Sequence, residues 1–234
     1  MLLTDLTLET SRLAQLRSFY AHALGLPVVA ESHGGIRIQA GTSAIHFKQA
    51  RDGSSPFYHL AFNIPENKLS GAIGWMAGRA DLLPVEASRG PIADFSSWNA
   101  HAIYFLDPAG NILELIARHS LPNAAPGPFT AADILCVSEI ALVVPDVPAA
   151  SARIRRDLGA PAYGDPSDEF AAVGDEHGLF IVVKTGRAWF PTRVRPAEVF
   201  DTGVLLRDHS LYGEVMLRAG VLMMYSSARQ APGH

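Results

Sequence analysis

Hydrophobic and polar positions in the first part of the chain predict a strand, a helix and a strand pair. Residues 3–10 alternate as in a strand, and residues 12–26 carry apolar side chains at helical spacing. Gly25 marks the end of this helix. Residues 35–40 and 43–50 then predict two strands that a turn at Gly41 joins.

The same order returns in the next sixty residues. A turn at Asp107-Pro108-Ala109-Gly110 joins the last two strands of this second unit, and Pro and Gly at these places are strong turn residues. The predicted elements are a strand at 57–65, a helix at 68–83 and strands at 100–107 and 111–118. The return of the same order of elements after about sixty residues indicates a repeated structural unit more strongly than any single element does.

The rest of the chain begins a third unit and leaves a remnant. Residues 121–133 contain three prolines between apolar runs, which predicts a linker between domains 1–120 and 134–234. The elements predicted beyond it are a strand at 138–146, a helix at 147–159, strands at 169–175 and 178–186, and two or three short strands after residue 198.

Composition excludes several classes of protein. Hydrophobic residues make up 48% and charged residues 18%, so the chain can bury a full core. The net charge of -4 argues against nucleic-acid binding, and no apolar run approaches the roughly 20 residues that a membrane span needs. The N-terminus lacks the basic start of a signal peptide, and the single cysteine, Cys136, lies in an apolar run. We therefore expect a cytoplasmic protein with Cys136 buried.

Two segments resemble the vicinal oxygen chelate superfamily, which includes glyoxalase I, bleomycin-resistance proteins and the extradiol dioxygenases. The first runs from Asp5 to the helix end FYAHALGL, and the second is the hairpin IYFLDPAGNILELIAR with Glu114 on its last strand. The resemblance covers residues 1–118 well, 137–195 weakly and the remainder hardly at all. It implies an α+β fold in which tandem βαβββ modules pair into a cupped, incomplete barrel, here with a second, incomplete module pair.

In that superfamily the first and last strands of each unit supply metal ligands. The matching positions are Asp5, His46, His59 and Glu114, all of ligand type, although Asp at the first position departs from the usual His, Gln or Glu. The third unit offers Glu139 on its first strand and Val182 near its last-strand position. A second complete metal site is therefore not expected, and the second domain is interpreted as structural, a lid or a dimer surface.

A physical argument supports Glu114 without the resemblance. A carboxylate within the apolar strand ILELIA is costly to bury unless it is paired or bound to a metal. Each candidate also has a simpler interpretation. Glu114 could pair with Arg118 or Arg37, His59 could be a hydrogen-bonded core histidine, His46 a solvated strand residue and Asp5 a turn cap. Phe95, Trp75 and Trp98 could wall an apolar pocket.

The expected function is that of a metal-dependent enzyme acting on a small substrate that chelates the metal through neighbouring oxygens. Glu114 and Tyr104, a strand residue in the hairpin, are the candidate catalytic residues. With His46, His59 and Glu114 the set resembles a two-histidine, one-carboxylate triad, whereas Asp5 would add a fourth ligand. Fe, Zn, Mn, Ni and Co all remain open, as do dioxygenase and lyase or isomerase chemistry. The alternative is a drug-binding protein without catalysis, and a homodimer is also open.

Overall fold

The described part of the chain contains three successive units, each of a strand, a helix and three strands, and then three antiparallel strands. The structure is a computed structural model that describes residues 1–51, 53–85, 90–207 and 211–228. The first unit contains β1 (Leu2–Thr10), α1 (Leu13–Ser18), β2 (Val28–Ser32), β3 (Gly35–Ala40) and β4 (Ser43–Gln49). A π-helical turn, Phe19–Ala23, continues α1, and Gly25 follows at a φ of 66°.

The second unit repeats this order. It contains β5 (His59–Ile64), α2 (Leu69–Met76), β6 (Ile92–Phe95), β7 (Ala100–Leu106) and β8 (Ile112–Arg118). The Asp107 carboxylate accepts hydrogen bonds from the backbone N–H groups of Ala109 and Asn111, which closes the turn between β7 and β8. Gly110 occupies that turn with a φ of 81°, a conformation that glycine adopts without strain.

The third unit is complete, and an antiparallel meander follows it. The third unit contains β9 (Cys136–Val144), α3 (Val147–Leu158), β10 (Ala162–Tyr163), β11 (Phe170–Asp175) and β12 (Gly178–Lys184). Asp146 caps α3 by accepting from the N–H of Ala149. The meander contains β13 (Thr202–Arg207), β14 (Leu211–Arg218) and β15 (Val221–Ala228).

The strands form two mixed sheets. The first has the order β15-β14-β13-β1-β4-β3-β2 and the second the order β10-β11-β12-β9-β5-β8-β7-β6. The predicted α+β class built from βαβββ modules is confirmed. The units combine differently from the expected arrangement, however, because β5 pairs with β9 across residues 121–133, and β1 pairs with β13. The second and third units therefore share one sheet, and the first unit shares the other with the meander.

The main hydrophobic core lies between the two sheets and the helices. It includes Leu6 and Phe47 from the first sheet, Leu60 and Leu142 from the second, and Tyr20 from the π-helical turn. Cys136 is buried, as predicted. Within the described ranges, the helices are all too short or too polar to span a membrane.

Candidate metal centre

The face of the second sheet that points away from the main core forms a separate apolar cup. Its side chains come from alternate positions of the strands, since neighbouring residues of a strand point to opposite faces. The floor of the cup is built largely from alanine and branched aliphatic side chains, namely Ala61, Ala102, Ile116, Ala141 and Ile181. We refer to this face and the residues above it as the cup.

Three ligand-type side chains converge on the floor of the cup. His59 lies on β5, Glu114 on the neighbouring β8 and Glu139 on β9 at the other side of β5. Ala61 is directly opposite both Glu114 and Glu139 in the strand register, so its methyl group leaves space between the two carboxylates. His59 Nε2 is 3.6 Å from Glu114 Oε2 and 3.9 Å from Glu139 Oε2. Within the described ranges, these three form the single group of at least three such side chains close enough to share an ion.

His59 is held in the tautomer that leaves Nε2 available. Its Nδ1 lies 3.1 Å from the carbonyl oxygen of Ile112, which can only accept, so Nδ1 carries the proton and donates it. Burial lowers the pKa of His59 to about 4, so the ring is neutral near pH 7. A neutral imidazole whose far N–H is fixed by a carbonyl is the usual state of a metal-binding histidine.

Glu114 is buried with one oxygen unsatisfied. The side chain is 1% exposed, and its Oε1 has no hydrogen-bond partner. Tyr104 is opposite Glu114 in the β7–β8 pair. Burial, and secondly the charge of Glu139, raise the pKa of Glu114 well above its ordinary value, whereas the Tyr104 hydroxyl lowers the pKa of the carboxylate. The simpler interpretation that Glu114 pairs with Arg118 or Arg37 is wrong, because both arginines bind other carboxylates.

Glu139 is held by a fully buried arginine. Arg118 NH2 donates to Glu139 Oε1, and Arg118 Nε donates to Asn63 Oδ1 at 3.2 Å. Burial raises the pKa of Glu139, and the Arg118 guanidinium opposes this shift. The arginine occupies one oxygen of Glu139 and leaves Oε2 directed towards His59.

The charges of the cluster fit a divalent cation. Two buried carboxylates face one buried guanidinium and a neutral imidazole, so one negative charge lacks compensation when both glutamates are ionised. Burying such a charge is costly unless a cation or a proton neutralises it. A divalent ion held by His59, Glu114 and Glu139 would supply this charge and satisfy Oε1 of Glu114.

Asp5 and His46 lie on the other sheet. Asp5 is on β1, where its carboxylate accepts from Arg37 of β3, and His46 is on β4. Both belong to the face of the first sheet that points away from the main core, and His46 is partly exposed. The structure thus brings His59 and Glu114 together and leaves Asp5 and His46 outside their group. The physical reason is that β5 pairs with β9 rather than with β1.

Glu139 joins His59 and Glu114, and Asp5 and His46 do not. The sequence identifies Glu139 as the first-strand position of the third unit, but as part of a different site. A single carboxylate within an apolar strand identifies Glu114 as a candidate ligand. The same criterion identifies Glu139, since SEIALVV is another apolar strand with one carboxylate. The corresponding last-strand position is Ile181, which is opposite Ala141 just as Glu114 is opposite Ala61. A fourth protein ligand is therefore replaced by a hydrocarbon side chain.

A cavity of about 590 Å³ opens above the cluster. The predicted wall residues Phe95 and Trp98 line it, whereas Trp75 packs against Phe129 and lies elsewhere. Trp189 covers His59 with 5.6 Å between ring centroids. Arg187, Trp189 and Phe190 all belong to the segment after β12, so the second predicted domain contributes a wall of the cavity.

Comparison with known proteins supports the fold. No protein-family model matches the sequence, and a search of curated proteins finds no match. Among solved structures, a candidate dioxygenase from Bacillus subtilis has a TM-score of 0.59 at 14% identity over 100% of this chain and 86% of its own. Glyoxalase I from Zea mays has a TM-score of 0.55 at 12% identity over 96% of this chain and 92% of its own.

At identities this low the likeness concerns the fold and not the reaction. Both neighbours match over almost the whole chain, so the likeness includes the third unit and the meander as well as the first two units. The resemblance inferred from the FYAHALGL and DPAGN segments is thereby confirmed at the level of architecture. The chain shares its fold with these dioxygenase-type and glyoxalase I structures.

Proposed function

We propose that this protein is a metal-dependent enzyme of the glyoxalase or extradiol dioxygenase type, with a small substrate that chelates the ion through two neighbouring oxygens. The observation that carries the proposal is the buried convergence of His59, Glu114 and Glu139 beneath a cavity, with Oε1 of Glu114 unsatisfied. Buried carboxylate oxygens that have only a structural role usually accept a hydrogen bond or form a salt bridge. A buried carboxylate oxygen without either therefore argues for a ligand.

The donor set is compatible with several first-row ions. One imidazole and two carboxylates suit Fe, Mn, Co, Ni or Zn, and three protein ligands leave positions open for a chelating substrate. Ile181 keeps the fourth position free of a protein donor. When bound, the ion would act as a Lewis acid on the substrate oxygens.

The surrounding residues have separate tasks in this proposal. Arg118 fixes Glu139, and the Ile112 carbonyl fixes His59, so both ligands are oriented in advance. Tyr104 holds a proton beside Glu114 and lines the cavity, where it can hydrogen-bond a substrate oxygen. Trp189 excludes water from the imidazole.

A second candidate is a protein that sequesters an apolar drug without catalysis. The aromatic lining of a cavity of about 590 Å³ favours it, because this volume fits a drug-sized molecule. Sequestration does not require two buried carboxylates, and we therefore favour the enzyme.

Titration of the purified protein with Co²⁺, followed by its visible absorption and by calorimetry, tests the metal site. We expect one tight site, and we expect His59→Ala and Glu139→Gln each to weaken it about 100-fold or more, since loss of groups that merely support ligands already costs 10–100-fold. His46→Ala is the matched control on the other sheet and should bind normally. Loss of binding in His46→Ala would instead support the ligand set drawn from the sequence.

A wild-type protein that binds no divalent ion would eliminate the enzyme proposal and leave the drug-binding alternative. If the ion binds, oxygen consumption with catechols separates the two reaction types. Uptake of O₂ by the Fe²⁺-loaded protein would identify a dioxygenase, and turnover without O₂ would identify a lyase or isomerase.

A further inference from the structure

Aromatic side chains form much of the cavity wall. Phe95, Trp98, Phe170 and Phe190 surround it together with Tyr104. Their rings contact one another, with centroid distances of 5.3 Å for Tyr104–Phe190 and 5.8 Å for Phe95–Phe190. Aromatic side chains arranged in this way favour offset or edge-on packing with another ring. A planar, apolar molecule is therefore the best match to these walls.

One cationic side chain interrupts the aromatic lining. Arg187 lines the cavity with its guanidinium 5.3 Å above the ring centre of Phe170. Burial lowers the pKa of Arg187 from its ordinary value, and the nearby charge of Glu169 opposes this shift. Within the described part of the chain its side chain forms no salt bridge and no hydrogen bond, so its five donors are open to a ligand.

The other arginines close to the core differ in this respect. Arg118 binds Glu139, and Arg195 donates to the carbonyl oxygen of Gly110. Asp165 also lines the cavity, but its side chain is exposed and forms no salt bridge with Arg187 at 4.0 Å or less. A half-buried guanidinium that is stacked on one ring and forms no salt bridge within the described residues is a suitable receptor for a carboxylate or another planar anion.

We infer that the ligand of this cavity is a planar aromatic molecule carrying an anionic group, and that Arg187 binds this group. The inference rests on the proposed function, because it assigns the substrate class of the same site. The aromatic walls contact the ring, and Arg187 binds the anionic group. The chelating oxygens lie at the floor, where Glu114 and Glu139 would hold the ion. Arg187 is thus a specificity-determining residue.

Matched acid and ester probes test the charge preference. The probes are 3,4-dihydroxybenzoate, 3,4-dihydroxyphenylacetate and 3-(3,4-dihydroxyphenyl)propanoate, each compared with its methyl ester, so that the spacing between the anion and the chelating oxygens varies. Quenching of tryptophan fluorescence in the Zn²⁺-loaded protein reports binding, since Trp98 and Trp189 line the cavity. We expect at least one acid to bind about tenfold more tightly than its ester, a modest value for a charge-assisted hydrogen bond.

Variants assign that preference to Arg187. Arg187→Met should abolish the preference by weakening the binding of the acid much more than that of the ester, and Arg187→Lys should retain part of it. Arg193→Met is the matched control, because Arg193 is on the same segment and does not line the cavity. Equal affinities in all three acid–ester pairs, or a preference that survives Arg187→Met, would overturn the inference.

A metal-free experiment separates this inference from the proposed function. In protein treated with EDTA, naphthalene-2-carboxylate is compared with naphthalene-2-carboxamide, neither of which carries a catechol. A preference for the acid that Arg187→Met removes supports the inference even if no ion binds and the enzyme proposal fails. An ion that binds to His59 and the glutamates without any such preference leaves the proposed function intact and overturns the role of Arg187.

Discussion

The outer faces of the two sheets carry ligand-type residues at the same places in the strand register, yet only one face buries them. In the second sheet, Glu114 is opposite Ala61, and His59 precedes Ala61 by two residues. In the first sheet, His46 is opposite Thr7, and Asp5 precedes Thr7 by two residues. Two of the three positions of the cup are thus reproduced on the first sheet.

The third position distinguishes the two faces. Glu139 is opposite Ala61 on β9, whereas Gly203 is opposite Thr7 on β13 and offers no donor. The arginines differ as well, since Arg118 is fully buried and Arg37 is largely exposed. Leu205 and Tyr225, on the meander, are both substantially exposed. Ligand-type residues at the expected spacing are therefore insufficient without a third strand that completes the set and a cover that excludes water.

Replacing the two arginines compares the faces most directly. Arg118→Met should destabilise the metal-free protein by about 3–5 kcal/mol, because it leaves Glu139 buried without a counter-charge. Arg37→Met should cost only about 0–1 kcal/mol, since Arg37 is exposed and Asp5 is only half-buried, so water can solvate the carboxylate that remains. Urea unfolding at pH 8 in the presence of EDTA measures both. Similar losses for the two variants would contradict the distinction between a buried and an exposed pair.

Removing the charge of Glu114 should change the stability of the metal-free protein by less than Arg118→Met does, and in the opposite direction. Burial raises the folded-state pKa of Glu114 above the ordinary value of 4.5, so folding favours its protonated form. This contribution is complete below pH 4.5 and is lost as the pH rises through the folded-state pKa. Glu114→Gln should therefore stabilise the metal-free protein by about 1–3 kcal/mol at pH 8 and flatten its stability above pH 4.5.

Asp5→Asn provides the control on the first sheet, where the half-buried carboxyl has Arg37 beside it. Burial raises the pKa of Asp5 as well, and the charge of Arg37 opposes this shift, so we expect Asp5→Asn to change the pH dependence of thermal unfolding in the same direction as Glu114→Gln but by less. If Glu114→Gln destabilises the metal-free protein at pH 8, the cup tolerates the ionised carboxylate and the electrostatic argument for a cation is lost.

Two buried tyrosines provide the finest comparison. Tyr104 lies beside Glu114 in the cup, and Tyr20 donates to Asp107 at 3.1 Å, on the main-core side. Tyr104→Phe and Tyr20→Phe should each cost about 1 kcal/mol of stability. Only Tyr104→Phe should alter kcat or the affinity of a catechol probe, as measured by the assays above. Unchanged turnover in Tyr104→Phe would restrict that tyrosine to a structural role.

Much of the local structure follows from the pattern of residues. The strand–helix–strand–strand order, the Asp107–Gly110 turn and the start of α3 after Asp146 depend on neighbours in the sequence, and the structure has them where the pattern predicts. The sequence also predicts the free-energy cost of burying Glu114, because this cost depends on the apolar strand around it. The helical segment 68–83 was predicted too long, as α2 ends at Met76.

The sequence does not show which units share a sheet. β5 and β9 are buried on both faces, so their composition does not distinguish one neighbouring strand from another. The resemblance suggested that the first two units share a cup, and Asp5 and His46 were assigned to it on that basis. Hydrogen bonds between β5 and β9 instead bring Glu139 to the site.

The sequence by itself determined the units, their turns and two members of the candidate site, His59 and Glu114, which lie on strands of the same unit. Only the tertiary structure decided that Glu139 completes the group, that Arg118 holds it, and that Arg187 and Trp189 face the cavity. The physical reason is the range of the interactions. A strand and its turn are set by adjacent residues, whereas the pairing of β5 with β9 joins segments about eighty residues apart, and many pairings satisfy the same apolar pattern.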